Sequence, residues 1–186
     1  MIILLVGGSK SGKSMAAQGY AKKLENKEGQ LYYLATMKPS DLEDNSRIER
    51  HLLDREGFGF TTIEKHRNLK DIVYNLNNND TILLDSITSL VTNEMFCEGN
   101  FIPNVSEKLF EDIDSISKKV ENLIIVTDYL FSDGIIYDSY TEAFRKEIGR
   151  LNINLCKISD VVIECSFNNE IIHKGKNMIR KIKWRI

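Results

Sequence analysis

Ile2-Ile3-Leu4-Leu5-Val6-Gly7-Gly8-Ser9-Lys10-Ser11-Gly12-Lys13-Ser14 decides the fold. The apolar run Ile2 to Val6 has the pattern of a strand buried on both faces of a parallel sheet. It enters a complete GxxxxGK[ST] loop, and helical spacing follows from Met15 to Leu24. A phosphate chain needs closely spaced backbone N–H donors, and Gly7, Gly8 and Gly12 let the phosphate approach them. Lys13 places a cation at the β and γ phosphates, and the Ser14 hydroxyl can ligate a magnesium ion bridging the same oxygens. The helix that starts near Lys13 adds its positive end. Strand, loop and helix together predict nucleotide binding, with Gly7, Gly8, Ser9, Lys10, Ser11, Gly12, Lys13 and Ser14 as the phosphate cradle.

Outward from the loop, apolar runs recur at Leu31–Ala35, Thr81–Leu84, Leu123–Thr127 and Val161–Cys165. Helical spacing fills Asp44–Arg55, Leu69–Leu76, Val105–Val120 and Tyr140–Lys157 between them. The alternation predicts an α/β three-layer sandwich of the P-loop, RecA-like type, its sheet mostly parallel. From Ser166 to Ile186 polar and apolar residues alternate around Asn168-Asn169 and Lys174-Gly175-Lys176-Asn177, so short antiparallel strands are expected at a C-terminal sheet edge. The six cations from Lys174 to Arg185 either protect that edge or meet phosphate. Pro39 and Pro103 fall in expected loops, and 186 residues predict one domain over 1–186.

Twenty-five Lys and Arg against 27 Asp and Glu give a net charge of -2, so no overall basic field gathers nucleic acid or an anionic membrane. Cys97, Cys156 and Cys165 are odd in number and lack CxxC spacing, which argues against a disulfide framework and a zinc site. The reducing cytoplasm fits best. Ile2 to Val6 is too short for a membrane span, and no targeting segment is expected.

Two further constellations carry chemistry. Asp85 ends the run Thr81–Leu84, where an acid can organise magnesium as a Walker-B residue does; the same Asp85-Ser86 pair is also suited to capping a helix. Arg47, His51 and Arg55 are spaced by four, so all three project from one helix face. Flanking cations disfavour imidazolium and keep His51 neutral, as attack on phosphorus requires. Glu49, Arg50 and Asp54 also permit a plain solvated charged face, and His66 and His173 lack a comparable setting.

These motifs, in this order, resemble the bifunctional adenosylcobinamide kinase / adenosylcobinamide-phosphate guanylyltransferase family of cobalamin biosynthesis. The similarity runs through the glycine loop, Leu34-Ala35-Thr36, Arg47-Ile48 with His51 and Arg55, and Phe60-Thr61-Thr62-Ile63-Glu64, where the family usually has a tryptophan-led W-x-T-x-E. It continues through Asp85 to Asn93, then Phe144-Arg145-Lys146-Glu147-Ile148-Gly149-Arg150-Leu151-Asn152, and Asp160-Val161-Val162. The resemblance implies a kinase step at the P-loop with ATP or GTP and Mg²⁺, and a GMP transfer through His51 as a covalent phosphoramidate. It further implies GTP contacts at Ala35, Thr36, Met37, Arg55, Glu64 and Asp85, a corrinoid substrate, and a homotrimer. After Thr127 the family usually reads N-E-V-G-x-G-I-V-P, whereas Asp128 to Tyr137 here keeps neither the Asn-Glu pair nor the proline. A P-loop kinase of another small alcohol and a non-catalytic nucleotide switch are the alternatives.

Overall fold

The computed structural model describes residues 1–39, 56–130 and 133–183. The segment expected as a helix over Asp44–Arg55, with Arg47, His51 and Arg55, lies outside the described residues. Strand β1 (Ile2–Gly7) leads into helix α1 (Lys13–Leu24), followed by β2 (Leu31–Ala35), β3 (Thr61–Glu64) and β4 (Thr81–Asp85). Helix α2 (Ile87–Met95), the short strands β5 (Phe96–Cys97) and β6 (Asn100–Phe101), and α3 (Ser106–Lys119) come next. The chain continues through β7 (Asn122–Asp128), α4 (Ser139–Ile158), β8 (Val161–Ser166), β9 (Asn169–Lys174) and α5 (Lys176–Lys183).

Seven strands form one sheet in the order β3-β2-β4-β7-β1-β8-β9, parallel except for the antiparallel pair β8–β9. Period-two alternation explains why helices cover both faces. Leu4, Leu34, Ile82, Leu84, Leu123, Ile125 and Val162 point to one face and join the core under α2, α3 and α4. Ile3, Leu5, Leu31, Tyr33, Leu83, Ile124, Val126, Val161 and Ile163 point to the other and pack with α1 and α5. Both faces of each central strand are apolar, so the expected continuous runs are what a two-sided burial requires.

Two of the expected elements take another form, and β3, α2, β5 and β6 lie outside the expected runs. Leu69–Asn75 is a 3-10 segment and not an α-helix. Only Leu69, Ile72 and the following Leu76 are buried, an apolar stripe one side chain wide that anchors a tight connection and no more. The tail forms one antiparallel edge strand, β9, and then helix α5 in place of further strands. Ile179 and Ile182, three apart, are 1% and 4% exposed and seal the α1 side of the core. Gly175 makes the reversal between β9 and α5 at φ +79, where a Cβ would lie 2.4 Å from the Asp160 carbonyl oxygen. Lys174 donates to the Cys156 and Lys157 carbonyls at 3.3 and 3.2 Å, so one tail cation caps the end of α4.

Candidate nucleotide site

All the parallel strands point their C-terminal ends at one cleft of about 1100 Å³. Ser9, Lys10, Ser11, Gly12, Lys13 and Ser14 line its middle, and Ala35, Met37, Glu64 and Asp85 line one end of it. At the loop itself, Gly12 precedes α1 with φ +91, a left-handed turn that aims the first helical N–H groups into the cleft. Gly7 is needed for close approach: a Cβ there would stand 2.4 Å from the Cys165 carbonyl oxygen of β8 and 2.6 Å from Ser11 Oγ. Ser11 is 7% exposed, and its Oγ is buried without a hydrogen-bond partner, an orphaned donor at a surface meant for oxyanions. The β8–β9 turn braces the loop from outside, Asn168 N–H donating to the Ser11 carbonyl at 3.2 Å.

Lys13 donates to the Gly8 carbonyl at 2.9 Å and pairs with Asp128 at 2.7 Å. The two side chains are 10% and 21% exposed, so this pair is held at the cleft floor. The sequence reading does not single out Asp128 as a site residue, although the signal is there. It ends the apolar run before it in the same way that Asp85 ends its own. The sheet order places β7 between β4 and β1, so Asp85 is one strand removed from the P-loop strand instead of next to it, and Asp128 takes the adjacent position. Asp85 Oδ2 accepts from the Tyr33 hydroxyl at 2.9 Å, and Phe60, at the usual tryptophan position, packs edge-on against Tyr33 with centroids 6.0 Å apart.

The cap expected of Asp85-Ser86 belongs to Ser86 alone. Its Oγ accepts from Ser89 N–H at 3.5 Å, which leaves the Asp85 carboxylate to the cleft. Thr36 is fully buried and its hydroxyl bonds both the carbonyl and the N–H of Ser86, at 2.7 and 2.8 Å. Its side chain therefore fastens β2 to the start of α2 beneath the cleft floor. Asn93 completes the staple by donating to the Thr36 and His66 carbonyls at 2.7 and 3.2 Å. His66 itself lines the cleft, with Nδ1 3.3 Å from the Thr36 carbonyl oxygen.

The motif from Phe144 to Asn152 builds the wall beside Asp128. Asn152 accepts from the Thr127 hydroxyl at 2.8 Å and donates to the Asp128 carbonyl at 3.3 Å. Arg145 holds the following loop through the Leu130 and Ile135 carbonyls, Asp133 and Glu142, and lies 5.1 Å from the Tyr137 ring centroid. Glu147 accepts from Ser106 N–H at the start of α3 and from Arg150, both at 2.8 Å. The Tyr137 hydroxyl beside Asp133 holds that carboxyl below its ordinary range, helped by Arg145.

Magnesium fits the residues present. No group of three or more His, Cys, Asp or Glu gathers as a metal cage among the described residues. An ion held mainly by phosphate oxygens and water needs only one or two protein oxygens, and the cleft offers Ser14 and Asp85. No helix among the described residues is long and apolar enough to cross a membrane.

A parallel sheet in this order with a glycine loop at its centre defines a P-loop nucleotide-binding protein. A solved ATPase domain has a similar fold, with a TM-score of 0.55 at 12% identity over 95% of this chain and 77% of that one. Residues 3–167 match the family described as cobinamide kinase / cobinamide phosphate guanyltransferase, and the chain belongs to that family of enzymes. The bifunctional adenosylcobalamin biosynthesis protein CobU of Escherichia coli (strain K12) is 35% identical over 100 residues, 53% of this chain and about half, 52%, of that protein's length. Its counterpart from Salmonella typhimurium is 29% identical over 174 residues, 87% of this chain and 93% of that protein.

Proposed function

We propose that the protein phosphorylates the hydroxyl of adenosylcobinamide with ATP or GTP. It then transfers GMP from GTP, through a histidine-GMP intermediate on His51, to adenosylcobinamide phosphate, giving adenosylcobinamide-GDP. The observation that carries this reading is the family match over residues 3–167, which spans the P-loop, His51, Glu64 and Asp85.

In the first reaction the cobinamide hydroxyl oxygen bonds to the γ phosphorus, and the nucleoside diphosphate leaves with the electron pair of the broken bridge bond. Gly7 to Ser14 and the start of α1 hold the phosphates, and Lys13 neutralises the oxygens that gain charge. Mg²⁺, when bound at Ser14 and Asp85, supplies further charge neutralisation across the same oxygens. In the second, a neutral His51 ring nitrogen bonds to the α phosphorus of GTP and pyrophosphate leaves. A phosphate oxygen of the corrinoid then displaces the imidazole. Two displacements replace one difficult transfer. Arg55, Glu64, Ala35 and Met37 are proposed as the remaining nucleotide contacts; Thr36, expected among them, is fully buried beneath the cleft floor and supports its neighbours Ala35 and Met37 instead. The same reading makes the protein a cytoplasmic homotrimer.

The test supplies adenosylcobinamide with ATP, then GTP, and separates the corrinoids by chromatography. A corrinoid monophosphate followed by a corrinoid-GDP is expected. Phosphorylation of other small alcohols in preference to cobinamide would replace this reading with the general kinase, and no turnover with any acceptor would favour the nucleotide switch.

A further inference from the structure

We propose that the turn between β8 and β9 seats the purine base of the phosphoryl donor, so that the cleft takes a nucleoside at either end of one phosphate loop. The proposal rests on the kinase reading above and deepens it by saying which way the donor lies. Lys13 gives the direction. Its ammonium is turned toward β7, where it meets Asp128 at 2.7 Å. In a loop of this kind the lysine serves the β and γ phosphates, and the backbone N–H groups cradle the α and β phosphates. The γ phosphate therefore comes to rest on the β7 side. β7 and β8 flank β1 on opposite sides, with Asp128 and Cys165 each across from Gly7. A donor in this orientation leaves the loop, nucleoside first, at Cys165 and the turn that follows it. The contacts proposed for GTP at Ala35, Met37, Glu64 and Asp85 come from β2, β3 and β4 or just after them, all beyond β7. They suit the second reaction, in which the loop holds the leaving pyrophosphate, and they leave the donor's base to the opposite end.

The turn is built against the α-phosphate end of the loop. Asn168 N–H donates to the Ser11 carbonyl at 3.2 Å, and Asn168 Oδ1 lies only 2.3 Å from where a Cβ on Gly12 would stand. Cys165, Asn168, Asn169 and Glu170 line the cleft here. Phe167 stands at the tip between Cys165 and Asn168 and is 92% exposed, so its ring enters no core. Its φ of +50 is a left-handed conformation that bulky side chains rarely take, and Asn168 follows at +59. A two-residue turn with positive φ at both central positions ordinarily takes Asn-Gly. Phenylalanine in this place costs backbone strain and gains no burial, which points to a use for the ring itself. An aromatic plane stacks on either purine, and the amides of Asn168 and Asn169 offer both donors and acceptors to a base edge. Neither feature selects adenine over guanine, which fits a kinase step served by ATP or GTP.

The seat predicts a loss confined to ligands that carry a base. In Phe167→Ala the KM for ATP in phosphoryl transfer to adenosylcobinamide rises roughly tenfold, with kcat within about twofold of the wild type. Phe167→Trp, which keeps an aromatic plane, restores the KM. Calorimetric titrations with Mg-ATP and with magnesium tripolyphosphate, which has the phosphates and no nucleoside, separate base binding from support of the loop. Mg-ATP loses affinity in Phe167→Ala and tripolyphosphate keeps it. Equal losses for both ligands would make the turn a brace of the loop and overturn the proposal. An ATP KM at the wild-type value in Phe167→Ala would overturn it as well. The titrations need no turnover, so the two readings fail separately. Wild-type protein that transfers no phosphate to cobinamide overturns the kinase reading, and the base seat then stands or falls on whether Mg-ATP alone loses affinity in Phe167→Ala.

Discussion

Replacing Gly7 with alanine tests whether the P-loop geometry is set by the seam between β1 and β8. The new Cβ would lie 2.4 Å from the Cys165 carbonyl oxygen, a backbone atom held in the sheet, and 2.6 Å from Ser11 Oγ. Neither contact can relax by rotating a long side chain. β1 must move away from β8 by several tenths of an ångström, and overpacking of this kind costs about 1–3 kcal/mol. For a chain of this length a loss of about 2 kcal/mol lowers Tm by about 4–8 °C. The displaced strand carries the loop with it, so nucleotide affinity falls at least about tenfold, or about 1.4 kcal/mol. Gly8→Ala is the internal control for stability, because nothing lies within 4 Å of its Cβ. Thermal unfolding by circular dichroism and calorimetric titration with Mg-GTP read the two effects. A Gly7→Ala protein that melts with the wild type, or a Gly8→Ala protein that melts lower than Gly7→Ala, would refute the reasoning.

Asp112 is 5% exposed, its Oδ2 lacks a hydrogen-bond partner, and burial pushes its carboxyl above the ordinary range against the pull of Lys108. A folded-state pKa raised above the unfolded one means that stability is lost as pH rises through the interval between them. Asp112→Asn should therefore raise Tm near pH 7 and raise it less in acid; an equal effect at both would refute this. Asn152→Ala removes the acceptor of the fully buried Thr127 hydroxyl, an expected loss of about 1–3 kcal/mol in denaturant titrations, and Thr127→Val in the same chain should restore part of it.

Sequence and structure agree where a rule acts locally. The runs at Ile2, Leu31, Thr81, Leu123 and Val161 are strands because their apolar residues have a core on either side to enter. The glycine loop is legible because phosphate binding needs its residue types in a fixed spacing. What escapes the sequence depends on neighbours far along the chain. Helix α2 is short and follows β4 directly, so its apolar residues, Ile87, Leu90, Val91 and Met95, merge with the strand pattern. The tail helix is held by two isoleucines that meet a core formed by α1 and the sheet. The alternation that suggests strands there continues only as far as Lys174. Asp128 reads in sequence as the start of a divergent loop, and only the register of β7 against β1 sets it across from Gly7. Thr36 and Asn93 carry family motifs whose described role is to staple β2 and β3 to α2. His66, 30 residues from Thr36 in sequence, reaches the cleft only because β3 lies beside β2.

The central claim, that a histidine of this chain carries GMP between GTP and the corrinoid, is tested most directly by the protein adduct. The protein is incubated with Mg²⁺ and α-labelled GTP, and the label is then followed by acid and base treatment and by peptide mapping. An acid-labile, base-stable adduct on the peptide containing His51 is predicted, lost in His51→Ala and retained in His66→Ala. Absence of label from the wild-type protein, or label that persists in His51→Ala, would contradict the account.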